Sequence, residues 1–216
     1  MTTGEEEREG FAAFMLRMRA RNVASKELFA AMEATPRSGF VPAEWKGRAW
    51  SNRTVPIECG ETLESCDLHG SVLNALDLQP GLRVLEIGTG SGYTSAVMAR
   101  MAGRVLTLDR YRTLCEQAHQ RHEAFNLSNV IVRQADGSEG ASDGPFDRIV
   151  SWAAFEEPPR RFVDCLASGG IMVAPVGPGD DVQMMSRFTK IGSRFEREDL
   201  EPVRLQPLTK GVAQAL

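Results

Sequence analysis

Between residues 80 and 177 short apolar runs alternate with segments whose apolar positions recur every three or four residues. "RVLEIG", "RVLTLD", "VIVRQAD", "FDRIVSW" and "GIMVAPV" read as strands, and "SAVMARMA", "RTLCEQAHQRHEAF" and "PRRFVDCLA" as helices. That alternation predicts an α/β fold with a mostly parallel sheet covered by helices on both faces. Upstream, "FAAFMLRMRARN" (11–22) and "SKELFAAMEA" (25–34) have helical spacing, with Ser25 as a helix start, and residues 66–77 resume it. Downstream, "QMMSRFTKI" and "EPVRLQPL" read as two strands joined by a charged turn, expected as an antiparallel hairpin at the sheet edge.

The stretch 35–62, "TPRSGFVPAEWKGRAWSNRTVPIECGET", breaks both patterns with Pro, Gly and small polar residues and carries Trp45 and Trp50. It predicts a long structured loop, and such loops in compact domains are usually functional. Its tryptophans are read as packing anchors before cleft walls. At 216 residues the chain suits one domain. A net charge of -4 gives no basic footprint for nucleic acid, and the longest apolar runs, such as "IMVAPV", are far too short to span a membrane. The acidic "MTTGEEEREG" start does not resemble an export signal. Cys59, Cys66, Cys115 and Cys165 lack zinc-knuckle spacing, so reduced thiols in the cytoplasm and no metal site are expected.

The chemistry concentrates at strand ends. "VLEIGTGSGY" (84–93) runs from strand into helix, where a glycine turn and free backbone amides approach a ligand closely. Gly88, Gly90 and Gly92 fall at positions one, three and five, against the one, three and six of a dinucleotide fingerprint. Glu86 puts a carboxylate inside a strand, which requires a cation or a set of donors to meet it, and an aminoacyl ligand provides a cation. Asp109 ends the next strand, 23 residues on, where an acid can accept from ribose hydroxyls. Asp136, in "ADGSEG" after the third strand, can read an adenine edge together with backbone donors. Each alone is an ordinary turn; three at successive strand ends point to one ligand.

These residues resemble the class I methyltransferases that use S-adenosylmethionine, and more closely the protein-L-isoaspartate O-methyltransferase family. "ATPRSGFVP" (34–42), "GETLES" (60–65), "VLEIGTGSGYTSAVMARM" (84–101), "ADGSEG" and "FDRIVSWAAFEEPPRRFVDCLASGGIMVAPVG" (146–177) carry the resemblance across nearly the whole chain. It implies a Rossmann-like fold with a mostly parallel seven-stranded sheet. One methyltransferase domain would divide into N-terminal helices and acceptor loop (1–79), donor-binding core (80–177) and C-terminal strands (178–216). It implies S-adenosylmethionine as cofactor: Gly88, Gly90 and Gly92 at its methionine end, Asp109 at the ribose, Asp136 and Gly137 at the adenine, with Glu86, Thr89 and Arg110 also among the donor-binding residues. The implied partner is a peptide or protein whose isoaspartyl carboxylate accepts the methyl group.

One segment departs from the family. Where the family has G-Q-T-I-S-x-P this chain reads Gly60, Glu61, Thr62, Leu63, Glu64, Ser65, Cys66, and Glu58 replaces the glycine after Pro56-Ile57. A carboxylate acceptor is already ionised near neutral pH, so hydroxyls such as Thr62 suffice to steady it. A second carboxylate beside it repels it unless one is protonated. Either Glu64 points to solvent while Ser65 supplies the hydroxyl, or it is protonated beside the acceptor, or the acceptor is neutral or cationic and Glu64 is its base or anchor. A donor-binding protein without turnover is a further alternative. His69 is read as a helix-surface residue or as a neighbour of the acceptor, and His119 and His122 as a solvated helix face.

Overall fold

The structure, a computed structural model, describes residues 3–213; the first two residues of the acidic start and the last three of the chain lie outside it. Helix α1 (Thr3–Ala20) and α2 (Lys26–Glu33) open the chain, α2 with Ser25 Oγ accepting from Leu28 N. Residues 35–62 fold into short 3₁₀ turns at Arg37–Phe40, Ala43–Arg48 and Glu58–Gly60. A two-rung ladder then pairs β1 (Val55–Pro56) with β2 (Thr62–Leu63), and α3 (Cys66–Ala75) follows.

The main sheet is built from β3 (Arg83–Ile87), β4 (Arg104–Asp109), β5 (Val130–Gln134), β6 (Phe146–Ser151), β7 (Leu166–Val176), β8 (Gln183–Ile191) and β9 (Arg194–Val203). Helix α4 (Tyr93–Ala99) joins β3 to β4, and α5 (Arg112–Ala124) joins β4 to β5. The order is β5-β4-β3-β6-β7-β8-β9, parallel from β5 through β7 and antiparallel thereafter. Winding reverses between β3 and β6, so a crevice opens beyond their carboxyl ends, where open α/β sheets bind ligands.

Alternate residues serve opposite faces. Val84, Val105, Val150 and Val173 face the core shared with α1–α4, whereas Leu85, Leu106, Ile149 and Met172 face the second core with Phe162 and Phe188. Trp50 is an anchor: its ring lies 5.0 and 5.4 Å from Phe11 and Phe14, and Nε1 donates to Glu7 across 2.7 Å. Trp45 packs, partly buried, on the same core. Among the described residues no helix is long and apolar enough to cross a membrane.

Two expectations about elements are corrected. "PRRFVDCLA" forms only a 3₁₀ turn at Arg160–Val163, and Leu166 already belongs to β7. The prolines at 158 and 159 leave too few residues before the strand for a helix to repay its nucleation. The last strand runs 194–203, not 201–208, so the charged stretch is strand and the turn lies at Gly192. An edge strand tolerates charges because one side is solvated, and they discourage further pairing.

Candidate active site

A cavity of about 260 Å³ opens over the carboxyl ends of β3, β4 and β6. Its size is close to the lower end for small-molecule sites. One end is the turn after β3. Gly88 N and Thr89 N both donate to Leu108 O, at 2.8 and 3.2 Å, which folds the turn onto β4. Gly88 has φ +89°, and a Cβ there would meet the Trp152 Cβ at 3.3 Å, so a bare backbone borders the cavity. Asp109 stands beside it, 8% exposed, with Oδ2 accepting from Gly90 N at 2.9 Å and Oδ1 from Tyr111 N at 3.0 Å. Burial pushes its carboxyl up from the usual range, and these backbone donors oppose the rise. Arg110 lines the same end with its Cζ 5.4 Å from the Tyr111 ring, and Gly137 completes it from the third strand end.

The opposite end is made by Thr62, Leu63 and Glu64 from the loop, His69 from α3, and Trp152 and Ala153 after β6. Glu64 is half-buried, and its Oε1 accepts from Thr62 Oγ1 across 3.0 Å. Burial raises its carboxyl, opposed by Thr62 and by the Arg37 guanidinium. Arg37, fully buried, donates to the backbone oxygen of Glu64 and to Ala49 O, the latter across 2.7 Å. A more open groove continues outward from Thr62 and Glu64 past Asp180, Asp181 and Arg204. Glu64 therefore borders both the cavity and the open outer groove.

Several sequence-predicted residues lie elsewhere. Ser65 caps α3, its Oγ accepting from Leu68 N at 3.2 Å, so its hydroxyl is committed to the helix. Cys66 occupies the first helical position, where a proline also fits, and as a thiol donates to Trp50 O across 3.1 Å. Its pKa is pushed by burial to about 12. Gly92, with φ +82°, starts α4 against α5: a Cβ would meet Ala118 Cβ at 2.8 Å. Asp136 caps its own turn through Ser138 N at 2.8 Å and accepts from Gly211 N at 2.7 Å. Glu86 is fully buried behind the cavity wall, where Thr94 and Trp152 donate to Oε1 and Thr107 donates to Oε2, the last two at 3.0 and 2.7 Å. Within the protein a set of donors meets that carboxylate.

Two histidines are also corrected. His69 is buried on the cavity wall, not on a helix surface. His122 is buried, with Nε2 2.9 Å from Gly92 O, because the close α4–α5 approach that Gly92 permits covers it; His119 alone stays on the solvated face, 3.3 Å from Glu123. No group of three metal-type ligands occurs among the described residues.

Sequence reasoning missed Glu61, Tyr111, Trp152 and the segment Gln206–Thr209, all on the cavity wall. Trp152 had the same signal as the others, one position beyond a strand end. Gln206–Thr209 had none, because it arrives by pairing across more than 50 residues, Ala154 N donating to Gln206 O and Leu208 N to Ala154 O, each at 2.8 Å.

A glycine-rich turn with bare backbone at Gly88, an acid at the next strand end and a wall open to a second groove fit a nucleoside bearing an amino-acid tail. A model of the protein-L-isoaspartate(D-aspartate) O-methyltransferase family matches residues 12–213. The chain belongs to that family. A protein-L-isoaspartate O-methyltransferase of Rhizobium meliloti (strain 1021) is 46% identical over 202 residues, 93% of this chain and 99% of the relative. That of Azorhizobium caulinodans is 41% identical over 217 residues and all of both chains. A solved protein-L-isoaspartate O-methyltransferase superposes with TM-score 0.81 at 24% identity, over 94% of this chain and 67% of that one. A Plasmodium falciparum structure assigned to the same activity, in complex with S-adenosyl-L-homocysteine, gives 0.78 at 21%, over 92% and 98%. These last two likenesses concern the fold. As a member of the protein-L-isoaspartate(D-aspartate) O-methyltransferase family, the chain is an S-adenosylmethionine-dependent methyltransferase.

Proposed function

We propose that this protein methyl-esterifies the carboxylate of isoaspartyl residues in peptides and proteins. The observation that carries the reading is one cavity with a glycine-and-acid end at Gly88 and Asp109 and a hydroxyl-bearing end at Thr62, open to an outer groove. S-adenosylmethionine, when bound, supplies a sulfonium methyl open to in-line displacement. Gly88, Thr89 and Gly90 would hold its amino-acid tail through backbone groups, Asp109 its ribose hydroxyls, and Gly137 would leave room for the base.

The remaining work is alignment and exclusion of water. The acceptor carboxylate arrives ionised, so no side chain has to remove a proton. Thr62 donates a hydrogen bond that orients it, taking that hydroxyl from Glu64. Because burial favours the neutral form of Glu64, its carboxyl can pass from repelling the acceptor to donating to it. The exposed outer groove suits a polypeptide, with the modified residue inserted and its neighbours left outside. The unpaired thiols Cys59, Cys66, Cys115 and Cys165 suit the reducing cytoplasm.

A second reading is favoured by the same carboxylate: a neutral or cationic acceptor anchored by Glu64. Transfer of labelled methyl to an isoaspartyl peptide, with the ordinary aspartyl peptide as control and donor binding measured in the same sample, separates the two. Label on the isoaspartyl peptide alone supports the first reading. Donor binding without label rejects it.

A further inference from the structure

His69 lies on the second turn of α3, 2% exposed, on the cavity wall shared with Glu64 and Trp152. Its Nδ1 is 2.7 Å from Arg37 Nη1. A guanidinium carries only donors, so Nδ1 accepts, and the proton of the neutral imidazole must sit on Nε2. Arg37 cannot turn away, being fully buried, bonded to Ala49 O and Glu64 O, with its Cζ 4.6 Å from the centre of the Tyr93 ring. The imidazole is held on its flanks as well: the Trp152 ring stands edge-on at 4.7 Å and the Tyr93 ring lies at 5.7 Å. Burial, reinforced by the Arg37 charge, keeps His69 neutral far below the ordinary histidine range.

The other nitrogen is left over. Nε2 has no hydrogen-bond partner among the described residues, yet it is not one of the sealed, unpartnered polar atoms, as Nδ1 of His122 is. The space open to it is the cavity that His69 lines. Buried donors in folded proteins almost always have a partner, so a donor of fixed tautomer facing a ligand cavity points to a ligand acceptor.

We propose that His69 binds the methyl acceptor, its Nε2–H donating to the acceptor carboxylate alongside the hydroxyl of Thr62. The inference deepens the isoaspartyl reading and rests on it. A carboxylate offers several lone-pair sites and Thr62 fills one, so a second donor adds orientation. A neutral donor is suited to this reaction: an imidazolium would neutralise the nucleophile and repel the sulfonium, whereas a neutral N–H aims a lone pair without removing the charge. The Arg37 hydrogen bond polarises the ring and strengthens the donor at its far side. One buried guanidinium thus sets both the loop carrying Glu64 and the ring beside it.

The test pairs two variants with a spectroscopic reading on the full chain. In His69→Asn the amide oxygen can still accept from Arg37 near the Nδ1 position, but nothing donates near Nε2. In His69→Gln the amide nitrogen reaches the Nε2 position. The expected result is that Asn lowers kcat/KM for an isoaspartyl peptide about 10- to 100-fold, the loss of one charge-assisted hydrogen bond, with donor affinity unchanged, and that Gln recovers most of it. A merely structural imidazole predicts the reverse order, Asn mild and Gln damaging, and that order overturns the proposal. Nitrogen NMR of the wild type with S-adenosylhomocysteine should show a neutral Nε2–H imidazole at pH 6–8 whose Nε2–H moves when the isoaspartyl peptide is added. A wild type that methylates the peptide with no such movement overturns the role of His69 alone. A wild type that binds donor and methylates nothing overturns the isoaspartyl reading and this inference with it.

Discussion

Thr62 Oγ1 donates to Glu64 Oε1 across 3.0 Å, so the hydroxyl best placed to steady an acceptor is already engaged by a carboxylate of the protein itself. An incoming isoaspartyl carboxylate must displace Glu64 or accept a proton-bearing Glu64 as neighbour. Glu64→Ser is therefore expected to raise kcat/KM for isoaspartyl peptides at pH 8, mainly through KM, by about tenfold, a modest part of the repulsion between close charges near a protein surface. Glu64→Gln, which keeps the size and removes the charge, should reproduce most of the gain. Because burial raises the Glu64 carboxyl, the wild type should approach the Gln variant as pH falls and Glu64 becomes neutral. Steady-state kinetics of the three proteins from pH 5.5 to 8.5 check this; equal KM values throughout would remove repulsion as the obstacle.

What the sequence made legible follows from how local each signal was. The strand after Pro80 and the turn carrying Gly88, the acid ending β4 and the glycine after β5 are each encoded within a few residues, and the parallel sheet brings those strand ends together. The cavity wall opposite the glycine turn is assembled from distant parts. Arg37 and His69 meet across 32 positions, and Gln206–Thr209 reaches the cavity through Ala154, pairings no periodicity encodes. Ser65 and Asp136 carried residue types that suit both a ligand and a cap, and in the fold the local cap takes them. Strand β9 was obscured by its charges, which an edge permits.

On the proposed reading Asp109 has two tasks, meeting the donor's ribose while its carboxylate holds Gly90 N and Tyr111 N. Asp109→Ala is expected to weaken binding of S-adenosylhomocysteine by about 1.5–3 kcal/mol through loss of a charge-assisted acceptor, and further through loosening of the glycine turn. Asp109→Asn retains an oxygen for one backbone donor and should fall between. Calorimetric titration of the three proteins reads the difference, and unchanged affinity in Ala would show that Asp109 does not meet the ribose.

Gly92 and Gly60 share a left-handed backbone but differ in space. A Cβ at Gly92, φ +82°, would press on Ala118 Cβ at 2.8 Å and His122 Nε2 at 2.9 Å, whereas at Gly60, φ +74°, nothing lies within 4 Å. Gly60→Ala should cost only the backbone strain, about 1–2 kcal/mol. Gly92→Ala should cost that plus overpacking between α4 and α5, about 2–5 kcal/mol in all. Denaturant unfolding of both variants tests the ordering. Equal losses would mean that α5 moves away freely and that the α4–α5 contact is not a tight one.

Glu86 gives the fold a pH dependence of identifiable sign. Burial raises its carboxyl from 4.5 to about 7, although Thr94, Thr107 and Trp152 all donate to it and partly offset the rise. The folded state thus prefers the neutral acid more than the unfolded chain does. The stability this contributes is complete below about pH 4.5 and is lost as pH rises through about 7, a difference of roughly 3 kcal/mol at most. Glu86→Gln removes the titration while keeping an oxygen where Thr94 and Trp152 donate. Its amide nitrogen would face Thr107, whose hydroxyl can turn to donate to Thr89, 2.6 Å away, and accept from the amide. Relative to the Gln variant, the wild type should therefore lose stability between pH 5 and 8, read as a fall in its melting temperature that the variant does not share. Parallel pH profiles for the two proteins would mean that the three donors hold Glu86 ionised throughout, and that the carboxylate is matched to its burial without a proton.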